Sequence, residues 1–273
     1  MKYLIKSIIF FFVFLTKFSV YAQTYTEKLI ENDLDSQYRK IWFWAEKSYS
    51  ASNRDSIIKA NNLFQEKLKK YTTNYPITLK LPFKSLTKAY DKLTICMSDD
   101  SLLRIYSWFS WIDGRNSAYY NVIQYKYSDN INSGILFDSS YDPYGDHIEG
   151  AGMWYTKIYT LKTKQTTYYL IITNDNLTTN ICYQGVKILC IENGVLNDTV
   201  HLIKTQTGIR NELGIVYDFF KVVGGNERPY KFITYDTINK VINIPIVNDD
   251  EKVTKKFIRY KFNGSYFEKI KAQ

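Results

Sequence analysis

The chain has 273 residues and a formal net charge of +9, with Lys+Arg 36 against Asp+Glu 27. Hydrophobic residues make up 45% and charged residues 23%, which excludes a disordered tail or a low-complexity fibre. Aromatic content is high: Tyr 25, Phe 16 and Trp 5 reach 17%, while Gly 12 and Pro 5 are too few for a collagen-like or linker-like chain.

The first element is a leader. Lys2 and Lys6 precede an apolar run over residues 7–15, and Val20 and Ala22 occupy the −3 and −1 positions of a cleavage site. That is the grammar of a signal peptide over residues 1–22. The apolar run is shorter than the ~20 residues a membrane span needs, and no cysteine near the cut would accept a lipid. The expected product is a periplasmic or secreted protein with no transmembrane anchor. Removing Lys2, Lys6 and Lys17 lowers the charge to a mild +6. The remaining basic residues are spread out, so nucleic acid is not an expected partner.

Residues 23–75 read as a helical hairpin. Ile30, Leu34, Tyr38, Ile41, Trp42 and Ala45 recur at three and four, the period of one helical face. Residues 48–53 break the pattern. Ile57, Asn61, Phe64, Leu68 and Tyr71 resume it. Ser52 followed by Asp55 matches a capping box and places the second start near Asn53; Tyr75-Pro76 ends the run. Trp42 and Trp44 cannot share one helix face, so one of them packs beyond the pair.

From Leu93 the period changes to two. Strands are expected at Leu93–Met97, Leu102–Trp108, Ala118–Tyr127, Asn132–Phe137, Trp154–Lys162, Thr166–Thr173, Val186–Glu192 and Val200–Thr205. The series continues with Gly214–Val222, Tyr230–Tyr235, Val241–Val247, Lys256–Phe262 and Tyr266–Ile270. Turn signals such as Asp113-Gly114, Asn193-Gly194 and Asn263-Gly264 separate them. With no helices between strands, the sheets are expected to be antiparallel. The fold class is α+β: a helical hairpin, then a large antiparallel β domain over 76–273, docked together as one unit. The β part is expected as a sandwich or irregular barrel, with a partial β-propeller as the alternative. Three weakly similar units, starting at Asn121, Phe232 and Phe257, suit propeller blades or plain hairpins. Cys96, Cys182 and Cys190 cannot all pair within one chain. A single strand would hold Cys182 and Cys190 ~26 Å apart, beyond disulfide reach, so buried free thiols are favoured.

Segments 100–108, 119–125, 154–162, 167–170 and 262–267, rich in Tyr, Trp and Phe, resemble a group of uncharacterised secreted proteins of Bacteroidetes-type Gram-negative bacteria. The resemblance implies export and a β-rich fold, and no activity.

Motifs exclude much chemistry. There is no zinc spacing around His147 and His201, no Gly-x-Ser-x-Gly elbow, no phosphate loop and no dinucleotide turn. No metal or cofactor is expected. Two constellations remain. The 138–149 loop holds Asp146, His147 and Glu149 as an acid/base set. Asp138, Asp142 and Asp146 are calcium-like donors, but they lack EF-hand spacing. The second is aromatic: Tyr106, Trp108, Trp111 and Tyr119, with Arg115, as a stacking platform around the 113–114 turn. The expected function is that of a non-enzymatic binding or structural protein of the cell envelope, with a carbohydrate or protein ligand. The alternative is a hydrolase of polysaccharide or peptide working through the 138–149 loop.

Overall fold

A computed structural model describes residues 26–47, 51–89, 93–112, 119–136, 151–222 and 231–271. Residues 1–22, expected as a leader, the 138–149 segment with Asp146, His147 and Glu149, and Arg115 lie outside the described residues.

Helix α1 covers 26–45, and its three-four spacing buries Ile30, Leu34, Tyr38 and Ile41. Helix α2, Ala51–Asn74, buries Ile57, Asn61, Phe64 and Leu68. It starts ahead of the expected cap, so Ser52 lies inside its first turn and its carbonyl accepts from the Ser56 hydroxyl. It ends at Asn74, before Pro76, which opens a 3-10 turn at Pro76–Leu79. A six-residue helix that periodicity does not signal, α3, follows at Lys84–Ala89. Between the long helices, Asp33 meets Lys67 and Tyr71, and Tyr38 meets Phe64.

Among the described residues, sixteen strands form three sheets. The first holds β1 (Leu93–Met97), β2 (Leu103–Phe109), β3 (Tyr119–Tyr127) and β4 (Asn130–Ile135) in that order, with β5 (Ala151–Gly152) on β3. The second runs β12 (Glu212–Asp218), β8 (Ile181–Glu192), β7 (Thr167–Asn176), β6 (Trp154–Lys162), with β9 (Val195–Asn197) on β8. The third runs β11 (Gly208–Arg210), β10 (Ile203–Thr205), β16 (Phe267–Ile270), β15 (Val253–Phe262), β14 (Val241–Val247), β13 (Thr234–Asp236). Among the described residues pairing is antiparallel, except that β10 lies parallel to β16. Each of the three similar units is a hairpin: β3–β4, β13–β14 and β15–β16.

The packing follows from strand alternation. Tyr106, Trp108, Tyr120 and Val122 on one face of the first sheet share a core with α1, α2 and α3. Ile105, Ile123 and Tyr125 on its other face pack on Ile158, Ile171 and Leu189 of the second sheet. Leu170, Ile172, Val186 and Ile188 point the opposite way, onto Ile242, Tyr260 and Phe267 of the third. A bulge between Tyr155 and Lys157 lets β6 serve the same two cores with Tyr155 and Leu161.

The central sheet is thus covered on both faces, and buried side-chain hydrogen bonds cross-link the layers. Gln184 accepts from the backbone N–H groups of Phe232 and Ile233 and donates to Asn174. At the helical side, the Arg104 guanidinium donates to the carbonyls of Thr78 and Leu79 at 2.8 and 2.9 Å. The Tyr106 hydroxyl reaches Thr78 too, and Gln124 bonds the end of α2. Burial lowers the affinity of Arg104 for its proton and raises that of Tyr106. All three cysteines are buried free thiols, and β8 carries Cys182 and Cys190 along one unbroken strand.

Candidate functional site: an aromatic ladder at the end of the first sheet

Strand β2 ends at Phe109, and the next three residues are held from two sides. Asn61 donates to the Ser110 carbonyl at 2.8 Å, and Ile112 is fully buried in the helical core. Trp111 between them adopts φ 60°, a left-handed conformation that costs a bulky residue about 1–3 kcal/mol. The surrounding contacts sustain that strain. The indole is turned to the rim of the helical core and packs against it.

The turned indole completes a continuous series of rings. Trp42 of α1 meets Trp111 edge-on at 5.2 Å, and Trp111 meets Phe109 at 4.9 Å. Phe109 faces its strand partner Tyr119 at 5.5 Å. Tyr119 lies flat on Trp154 of β6, at 5.4 Å and 4° between planes. Two polar bonds fix the ends: Trp42 Nε1 donates to Glu46 at 2.6 Å and Trp154 Nε1 to Thr94 at 2.9 Å. The ladder therefore bridges α1, the first sheet and the second. Trp42 is 38% exposed and its neighbour Phe43 54%. Phe109, Trp111 and Trp154 are half-buried. Beside them Lys47 sits 4.2 Å over both the Phe43 and Trp44 rings.

Of the aromatic residues singled out in the sequence, Trp111 and Tyr119 belong to this ladder. Tyr106 and Trp108 do not. They point into the core with α2, where Trp108 Nε1 donates to Asn61 and the Tyr106 hydroxyl to Thr78. Alternation explains the split, since Phe109 and Tyr119 lie on the face opposite Trp108 and Tyr120. Trp42, Phe109 and Trp154 were not legible as partners, being contributed by a helix and two sheets. The one signal was that Trp42 and Trp44 could not both fit between two helices.

Elsewhere the described residues hold no group of three or more His, Cys, Asp or Glu able to take a metal. His201 is exposed and contacts the Thr199 carbonyl. Asp100 is engaged by Ser98, by the Leu102 N–H and by the Tyr169 hydroxyl, so its carboxylate serves the β1–β2 turn. Asp175 on β7 differs: burial raises its carboxyl to about 7, against the one N–H donated by Asn176. Its cross-strand partner is Tyr183, whose hydroxyl is taken by Glu212 at 2.7 Å. Gly185 and Gly214 make room for that tyrosine, since a side chain at either would strike it. No family model, curated protein or solved structure matches the chain.

Proposed function

We propose that the chain is an exported, non-enzymatic binding protein of the cell envelope, with the aromatic ladder as its ligand surface. The carrying observation is the Trp42–Trp111–Phe109–Tyr119–Trp154 series, partly open to solvent and held in place by a strained backbone and two indole hydrogen bonds. The open part is the Trp42 and Phe43 end beside half-buried Trp111; exposed apolar surface marks binding sites, and rings fixed before binding lose little entropy on contact. Partly exposed indoles suit the apolar faces of sugar rings, so a saccharide is the favoured ligand. In this reading α1 and α2 form a hairpin docked on a β sandwich, and the ladder marks their junction. The hydrolytic alternative on Asp146, His147 and Glu149 gains no support from the described residues.

Affinity electrophoresis through gels containing xylan, mixed-linkage glucan or chitin oligosaccharides tests the ligand. One polysaccharide should retard the protein, and Trp42→Ala or Trp111→Ala should weaken retention about tenfold, the effect of losing a contact worth ~1.4 kcal/mol. If the double variant migrates like the wild type in every gel, the ladder is not the site. Export is tested separately. Intact mass of protein recovered from the native envelope should begin at Gln23, and a chain retaining Met1 would overturn it.

A further inference from the structure

A second surface has chemistry unrelated to the ladder. The second and third sheets share one core, and at one edge the space between them opens into a groove of about 780 Å³. That volume lies within the usual range for small-molecule sites. Its apolar lining includes Leu213 of β12 and Tyr260 of β15. Its polar lining includes Arg210, Lys269, Lys271 and the hydroxyl-bearing Thr205 and Thr207.

Strand alternation sorts these charges. Lys269 is the cross-strand partner of Tyr260, and Phe267, Lys269 and Lys271 follow one another on the side that faces the second sheet. Arg210 pairs with Ile203, which is buried in the same core. The one acid in the lining, Glu268, alternates to the other side, where Lys204 holds it at 2.8 Å. Glu212, next to Leu213, likewise points away and is taken by Tyr183 and Thr173. Arg210, Lys269 and Lys271 therefore enter the groove, and no ion pair with any of them occurs among the described residues. Arg210 is steadied from behind by the Thr207 hydroxyl at 3.4 Å.

Three uncompensated cations around an aromatic and aliphatic floor are complementary to an anion with an apolar body. The geometry points to a binding site for a phosphate- or carboxylate-bearing ligand. Its charged group meets Arg210, Lys269 and Lys271, and its ring or chain lies on Tyr260 and Leu213. The parallel β10–β16 pairing makes the site, because it sets the Arg210 hairpin beside Lys269 of β16 and Lys271 just past its end.

Calorimetric titration with pyrophosphate and with tetragalacturonate, at low ionic strength where screening is weak, tests the proposal. At least one should bind with one-to-one stoichiometry. Pyrophosphate alone assigns the site to phosphate, tetragalacturonate alone to carboxylated glycan, and both to either anion. Arg210→Gln, Lys269→Gln and Lys271→Gln should each weaken binding about tenfold. Glu268→Gln should bind at least as tightly as the wild type. Lys255→Gln with Lys256→Gln, exposed on β15 outside the groove, should leave affinity unchanged. All replaced side chains lie at the surface, and unchanged melting curves verify folding. The site is refuted if neither anion binds, or if the Lys255/Lys256 control weakens binding as much as the groove variants do.

Discussion

Trp108→Ala is expected to be among the most destabilising single substitutions in the chain. The indole is fully buried, packs edge-on against Phe64 at 4.8 Å and is stacked with Tyr120 at 5.8 Å. Removing a buried tryptophan ring costs about 3–5 kcal/mol. The loss also strands the Asn61 carbonyl, which accepts the indole N–H at 2.9 Å, and an orphaned buried polar group adds about 1–3 kcal/mol. The sum approaches the whole stability of a typical domain. Urea unfolding of the wild type, Trp108→Phe and Trp108→Ala should give a graded series, phenylalanine keeping most of the volume but not the N–H. Because the ring sits between α2 and the first sheet, helical and near-ultraviolet signals should be lost together. A Trp108→Ala loss under about 1 kcal/mol would contradict this packing. Trp42→Ala is the internal contrast. At 38% exposed it should cost only about 1 kcal/mol, so its effect on ligand binding can be read without a folding defect.

Asp175→Asn should stabilise the protein, and only above mildly acidic pH. Burial raises the Asp175 carboxyl from 3.8 to about 7. In the unfolded chain the group ionises near its ordinary value, while in the folded chain it holds its proton to near neutrality. The unfolded state therefore gains stability first as pH rises. Folding free energy falls across the interval from about 4 to about 7 and levels off above it. The full loss is on the order of 2–4 kcal/mol. Asparagine cannot ionise and can still accept the Asn176 N–H. Thermal melts at pH 4 should show the wild type and Asp175→Asn together. At pH 8 the variant should melt higher. Equal melting temperatures at both pH values would mean that Asp175 is not held in a desolvated site.

The regular elements were legible where one residue pattern had one explanation. Strands β1, β6 and β14 match their expected ends, because turn residues bound them. The helical faces were equally clear, since Ile30, Leu34, Tyr38 and Ile41 keep the three-four period and are all buried, although Leu29, Trp42 and Phe43 lie exposed on the same helix. Other boundaries moved for a physical reason. β8 begins at Ile181, five residues before the expected Val186, because Gln184-Gly185 has turn composition. Gly185 instead stays in the strand to admit Tyr183, and Gln184 supplies the acceptor that joins the second sheet to the third. β9 and β11, at three residues each, are too short to show a period. The ladder was half legible: Trp111 and Tyr119 stand near one turn, but their neighbours arrive by tertiary packing, which local spacing does not encode.

The chain's path through the sheets has a consequence for biogenesis. After β9 it leaves the second sheet, lays down β10 and β11, and only then returns to complete that sheet with β12. The other partner of β10, besides β11, is β16, more than sixty residues downstream. Helices and first sheet comprise mostly sequence-local contacts and can assemble while the chain is still being delivered. The β10–β11 hairpin must wait with an open edge until the C-terminus arrives, and late long-range pairing of this kind is slow. If the chain is exported as proposed, its third sheet stays half-built until the C-terminus arrives, and closure of that sheet is set by a single four-residue strand.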